Sequence, residues 1–528
     1  MCEVTTKNFD QILPECQDLL KKAKFISIDT EFSCLTSHTK LRNSLFDSAQ
    51  NRYTKQRQHI QQVIPFQIGL TAFTFDPDRN VYKGHVYNFY VFPRSFTYID
   101  RKFLCQASSF TFLAVHDFDF NKLVTEGIPY INRVEENELR NRIKTTSSGD
   151  IPIGCDFELI LKEYSETIFQ WIKNAKYNDN LLLKKYSIVN ISLDLKYFLK
   201  KRLCEQFQNI WIYEHENGFM VKKISEKEYQ KLISDISFEE NLISTLLGFT
   251  KVFRYIQSLK KPIVGHNFLL DLMLIVHNLE QPLPKAYSSF KKLINDLFPT
   301  IYDTKCMSYD IIRSVPPAKR YRKNTLQNLF IYFKDEHGRH LASNSPSIEH
   351  QHTHMLHDHE AGWDSFCTGY IFLRMAHFEA ASKAQVKSKI FMSTELFQAV
   401  SYCKNRVNLI RGNISYLQLD GSDPISTRPP WLIIKTTKKR SINIKEVAQL
   451  LSSCGFAEIR PYSRKGALIA VDNFSSVSRI LSTFRSNSDF KIQQYHFLKH
   501  SPVISRFLWS GAILSGAVLA WYAYLKFK

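Results

Sequence analysis

The chain's 528 residues are enough for roughly three domains, and its 44% hydrophobic and 23% charged residues are those of a globular protein rather than a disordered one. Its net charge of +20 exceeds what solubility requires and points to a polyanion or an anionic membrane surface as partner. Ten cysteines without a C-x-x-C pair argue against a zinc site or a disulfide framework and read as reduced thiols in a cytosolic environment, and MCEVTTKNFD has no apolar run, so no signal peptide is expected.

Residues 8–23 carry helical periodicity and lead into Phe25-Ile-Ser-Ile-Asp-Thr-Glu-Phe-Ser33, which reads as a strand. Side chains two apart on a strand share a face, so Asp29 and Glu31 project together. Two such acids repel unless a divalent cation sits between them, although a solvated strand end shows the same pattern. Residues 36–57 are polar and are expected to be loop. Gln67–Phe73 and Val86–Phe92 read as further strands, followed by helices at Ser108–His116 and Asp119–Glu126, an α/β arrangement with a mixed sheet.

Residues 134–150 end in linker composition. From 155 to 236 a separate insert is expected, with helices near 156–175 and 193–207 and a hairpin at Ile210–Ile224. Its charge suits either nucleic-acid binding or bracing of the main domain. The first domain, 1–150, then resumes over 237–400, with a helix at Asn241–Lys260, a short strand at Pro262–Gly265 and a helix at Phe268–Leu279. Asp271 sits in that last helix among Leu269, Leu270, Leu272 and Met273, where a carboxylate costs stability unless paired or ligating. Residues 336–362 are irregular and histidine-rich. His352, His354 and His357 read as solvated loop residues, whereas His359 lies on the loop that leads to a helix (Ser365–Ala380) with Asp364 at its start.

Residues 404–500 show strand, helix, strand, strand, helix, strand, the order of an RNA-recognition-motif sandwich. The central strand Ala467–Val471 has no aromatic residue for base stacking. Residues 507–525 are free of charge, flanked by Arg506, Lys526 and Lys528, and at ~1.5 Å per residue would span about 28 Å as a helix, the expectation for a membrane tail anchor. Ala512, Gly516 and Ala520 form a small-residue stripe that either moderates hydrophobicity or admits a second helix, hence a homodimer.

Four carboxylates, Asp29, Glu31, Asp271 and Asp364, with His359 nearby, suit two hard divalent cations and a general base for phosphodiester hydrolysis. These residues resemble the histidine-containing branch of the DEDD 3′–5′ exonucleases. FISIDTEFS, FQIGL, YNFYVFP, DFDFNKLVTEGIPY, PIVGHNFLLDLM, YDTK and HEAGWD together resemble the poly(A)-specific ribonuclease family over roughly residues 1–400. The resemblance implies a ribonuclease H-like nuclease domain and Mg²⁺, with Mn²⁺ as an alternative. It makes Asp29, Glu31, Asp271 and Asp364 ligands, His359 the base, and Phe32, His266, Asn267 and Asp303 supporting or substrate-positioning residues.

Two departures narrow the expectation. The family's Arg-x₃-His signature is lost in the insert, where Arg202 is followed by Gln206, and no tryptophan lies between Phe456 and Asp472 to face a messenger cap. With an anchor in place of a basic tail, the chain resembles the membrane-anchored PARN-like proteins. That implies trimming of single-stranded 3′ ends of PIWI-bound piRNA precursors at the cytosolic face of the mitochondrial outer membrane (or the endoplasmic reticulum), with a Tudor–KH adaptor. An anchored messenger deadenylase and an inactive RNA-binding scaffold stay open as alternatives.

Overall fold

In the computed structural model the described residues are 2–35, 41–96, 99–145, 155–184, 193–207, 209–215, 218–235, 238–351, 359–384, 389–426 and 428–526. His352, His354 and His357 lie outside them. The chain divides into two compact units, Met1–Leu41 with Gln56–Asn408, and Arg42–Lys55 with Leu409–Lys528.

The first unit is built on a seven-stranded mixed sheet. Its order is Cys2–Val4, Val81–Tyr90, Pro65–Asp76, Phe25–Phe32, Ile263–Gly265 and Ile301–Asp303, with Ser347–His350 also pairing to Val81–Tyr90. Pro65–Asp76 runs antiparallel to both neighbours, and the remaining pairings are parallel. In Phe25–Phe32 the residues Phe25, Ser27, Asp29 and Glu31 share one face by the two-residue period. The helix Ala361–Lys383 covers that face, with Phe25 stacked on Phe73 at 4.7 Å and in edge contact with Phe372 at 5.1 Å. The strand is therefore apolar where it enters the core and acidic where it leaves.

Four local expectations are corrected. Residues 36–57 are not all loop: Ala49–Ile60 is a helix whose buried stripe, Arg52, Tyr53, Gln56, His59 and Ile60, has helical spacing but mostly polar chemistry. The helix expected over Asn241–Lys260 is two, Phe238–Leu247 and Phe249–Leu259, broken at Gly248. Gly248 has φ +34°, and a Cβ there would lie 2.2 Å from the Pro129 carbonyl oxygen, so only glycine fits. The helix expected over Phe268–Leu279 is α-helical only over Leu269–Ile275 and continues as a π-helix over Val276–Glu280. In the histidine-rich tract, Ser347–His350 joins the sheet as a strand.

The insert contains helices Cys155–Ile172 and Leu193–Gln206 and a three-stranded antiparallel sheet ordered Asn180–Lys184, Gly218–Lys223, Ile210–His215. It has its own core around Ile168, Leu199, Ile212 and Val221. Gln206, where the resemblance would place histidine, accepts a 2.8 Å hydrogen bond from Ser165 Oγ within the insert.

In the second unit four antiparallel strands are ordered Ala457–Ser463, Gly466–Val471, Leu432–Thr436, Phe490–Gln494, with helices Ile444–Leu451 and Phe474–Thr483. The unit also recruits Arg42–Lys55, which composition alone assigns to a loop of the other unit. A helix runs over Pro502–Lys526 and contains the span expected at 507–525. Among the described residues no helix is long and apolar enough to cross a membrane, so the fold does not establish that span as transmembrane.

Candidate active site

At the acidic end of Phe25–Phe32 lies a cleft of about 480 Å³. Asp29, Glu31, Phe32, His266, Asn267, Asp271, His359 and Asp364 line it, joined by Leu35, Gln106 and Phe112. Residues more than 300 apart in sequence thus converge on one strand end.

Asp29, Glu31 and Asp364 each offer an oxygen such that all three lie within 4.8 Å of one another, close enough to share a cation. Asp364 is delivered by the first turn of Ala361–Lys383, where the helix N-terminus favours negative charge. That turn is pressed onto the sheet. Ser27 Oγ donates to the Ser365 carbonyl at 2.6 Å, the hydroxyls of Thr71 and Ser365 meet at 2.7 Å, and the Gly362 amide donates to Asn88 Oδ1 at 3.2 Å. Gly69 pairs with Asp29 in the ladder, and a Cβ on it would sit 1.8 Å from the Ala361 carbonyl oxygen. The missing side chain is what lets the helix lie close enough to bring Asp364 to Asp29.

Asp271 reaches the cleft from the other side of the strand. It falls in the first turn of Leu269–Ile275, and its Oδ1 accepts the Thr30 hydroxyl at 2.5 Å, which keeps it out of the tight trio. Burial, offset in part by the Thr30 bond, raises its carboxyl to about 6. Burial also pushes Asp29 and Glu31 well above the usual carboxylate range. The charges of Asp364 and Asp271 add to this for both, and Glu31 adds to it for Asp29. Such a group of acids ionises readily only beside a cation, and an all-oxygen donor set suits a hard divalent one. The residues fit the metal that the sequence implies.

The loop Gly265–Phe268 is held from behind by Asp303, which is buried rather than exposed to the cleft. Asp303 caps the helix Thr304–Ser314 through the amides of Lys305 and Cys306, at 2.9 and 3.3 Å. It also accepts from the amides of Asn267 (2.8 Å), Phe268 (3.0 Å) and Asn408 (2.9 Å). Asn267 takes φ +58°, a left-handed conformation that asparagine tolerates, and its side-chain oxygen accepts from Asn408 Nδ2 at 2.8 Å. Burial, reinforced by Lys305, lowers the His266 imidazole to about 3, so it is neutral at physiological pH. Its Nδ1 lies 2.9 Å from Thr304 Oγ1.

His359 also lines the cleft, with φ +70°. Its ring packs edge-on to Phe112 at 4.8 Å and against His116 at 4.2 Å, residues one turn apart at the end of the helix Ala107–Val115. Sequence reasoning missed Phe112, His116, Asn408, Thr30 and Gly69 as site residues. The i, i+4 pair of Phe112 and His116 was a readable signal, whereas Asn408, remote in sequence, offered none.

Carboxylates clustered on a mixed α/β sheet, with a neutral histidine and a second histidine at the rim, define a hydrolase of phosphodiester bonds. The CAF1 family ribonuclease model matches residues 4–372, and the chain belongs to that family; it is a 3′–5′ exoribonuclease. It is 32% identical to the pre-piRNA 3′-exonuclease trimmer of Bombyx mori, over 100% of this chain and 99% of the relative. It is 28% identical to the poly(A)-specific ribonuclease PNLDC1 of Mus musculus, with 95% of each chain covered, and 30% identical to the poly(A)-specific ribonuclease PARN of Danio rerio, over 93% of this chain and 77% of that one. Among solved structures, S. pombe Pop2p in its Mg²⁺- and Mn²⁺-bound form aligns with 15% identity and a TM-score of 0.34, over 72% of this chain and 92% of that one.

Proposed function

We propose that this protein trims the 3′ ends of single-stranded piRNA precursors while they are held by a PIWI-family protein. The observation that carries this reading is the end-to-end match to the Bombyx mori pre-piRNA trimmer, which leaves only 1% of that relative uncovered. The chain also lacks the cap-facing tryptophan of the small domain. A Tudor–KH adaptor is the partner such a reaction would use.

Asp29, Glu31, Asp271 and Asp364 are the residues that would hold Mg²⁺ or Mn²⁺. Divalent ions held there would supply charge neutralisation for the phosphate and would acidify a water. His359, which lines the same cleft, is the residue that would take up the proton of an attacking water. His266, kept neutral by burial, presents a ring that neither repels a cation nor attracts stray anions. Phe32 and Leu35 supply the apolar side of the cleft against which a terminal nucleoside packs. Asp303 acts on the backbone of the Asn267 loop.

The protein would act at a membrane surface on the cytosolic face of the mitochondrial outer membrane. Supporting this are the charge-free run 507–525 and the outward exposure of Leu514, Val518, Leu519, Trp521 and Tyr522 on the helix Pro502–Lys526. The poly(A)-specific names of the PNLDC1 and PARN relatives favour a second reading, an anchored deadenylase.

The deciding experiment compares a PIWI-loaded RNA bearing a 3′ extension with free poly(A) of equal length. Trimming predicts stepwise shortening of the loaded RNA and slower attack on free poly(A). Preference for free poly(A) by tenfold or more would favour the deadenylase.

A further inference from the structure

In an RNA-recognition-motif sandwich, one sheet face packs on the helices and the other receives RNA. Here Leu432, Ile434, Ala467 and Ile469 face the helices, around Val447, Leu451 and Ile480. The alternate residues, Ile433, Leu468 and Ala470, point to the other face and are also buried, beneath Leu45 and Phe46 of the chain's own segment Arg42–Lys55. Phe46 sits where a base would stack. Its ring meets Trp431 edge-on at 5.2 Å, and the Arg460 guanidinium lies over it at 4.6 Å from the ring centre. A cation and an aromatic edge around a flat ring are the contacts a nucleobase would otherwise use.

Polar contacts hold the segment at both ends. Glu458 Oε2 accepts from Ser44 Oγ at 2.6 Å and from the Leu45 amide at 2.9 Å. Arg52, almost wholly buried, pairs with buried Asp47 and donates to the carbonyls of Ile410 and Arg411. Asp47 also receives Lys55 at 2.7 Å, and its carbonyl accepts from the Asn413 amide at 3.1 Å. Lifting the segment would strand a buried arginine and a buried carboxylate, so the seat is not one that opens readily.

We propose that this sheet face is a permanent seat for the chain's own Ser44–Arg52 and takes no part in RNA recognition, so that substrate contact falls to the carboxylate cleft. The first test uses the full-length wild-type protein and single-stranded RNA bearing 4-thiouridine. Photo-adducts should be absent from Phe46, Trp431, Tyr462 and Tyr495, and an adduct at any of them overturns the proposal.

The second test is Phe46→Ala in the full chain, with Glu458→Gln as a gentler variant in case the first does not fold. Amide exchange over residues 44–53 should rise at least tenfold in either variant, while the Kd for RNA stays within twofold of wild type. A fivefold gain in affinity would make the segment a gate over an RNA site. A fivefold loss would make it part of the RNA contact, and unchanged exchange would mean there is no seat. Each of these three results overturns the proposal.

Discussion

The two rims of the catalytic cleft are built differently. On the carboxylate rim, position is set by backbone. Asp29 and Glu31 ride a strand laddered there to Pro65–Asp76, its pairing with Ile263–Gly265 ending at Ser27. Asp364 rides a helix turn that Gly69 allows to press onto that strand, and the loop opposite hangs from Asp303 by its amides. On the histidine rim, the His359 ring is placed by left-handed backbone and by packing on Phe112 and His116. Backbone hydrogen bonds and ladders resist displacement, whereas side-chain packing yields to rotamer changes. The carboxylate rim should therefore be intolerant of any change, and the histidine rim graded in its response.

The largest break is expected on the carboxylate rim. Glu31→Ala should lower single-turnover hydrolysis by at least about 10³, because metal-held charge stabilisation contributes several kcal/mol. Near-normal hydrolysis by this variant would remove Glu31 from the chemistry. His359→Ala should cost about 10²–10⁴ in kcat, with RNA binding intact, the usual share of a general base. A rise in KM with unchanged kcat would make His359 a binding residue instead.

Smaller effects sharpen the contrast. Asp303→Asn should destabilise the fold by about 3 kcal/mol, since a charged acceptor of several amides is lost, and should lower activity by roughly tenfold. Urea unfolding and kcat measured together test this, and a loss of activity with stability unchanged would contradict it. Phe112→Ala should cost only a few-fold in kcat, because His116 still flanks the ring.

A pH prediction comes from His377, buried within the helix that carries Asp364. Burial, with Arg374 adding to it, lowers its imidazole to about 4. The unfolded chain binds a proton there near pH 6.5 that the folded chain refuses. Its share of stability is thus present above about 6.5 and is lost as pH falls toward 4. His377→Phe should gain on wild type by at most about 3 kcal/mol between pH 7 and pH 4, read from urea midpoints. A constant difference across that range would show that the folded-state imidazole takes up its proton at the same pH as the unfolded one.

Much of the carboxylate rim was legible because strand alternation places Asp29 and Glu31 on one face, and because Asp271 and Asp364 interrupt or open apolar helices. Less was legible where geometry depends on what is missing or remote. Gly69 matters through the Cβ it lacks, and Asn408 acts on Asn267 across 141 residues. The helix Ala49–Ile60 was hidden because its buried stripe is made of Arg52, Gln56 and His59, which count as polar. The break at Gly248 follows from a close carbonyl that only the folded chain reveals.

The most direct test of the account counts divalent ions. Mn²⁺ titration followed by electron paramagnetic resonance, alongside hydrolysis of a 3′-hydroxyl RNA, should show two ions per wild-type chain. Glu31→Gln should lose at least one of them together with activity, and EDTA should abolish hydrolysis. Full hydrolysis in EDTA, or undiminished Mn²⁺ binding by Glu31→Gln, would contradict it.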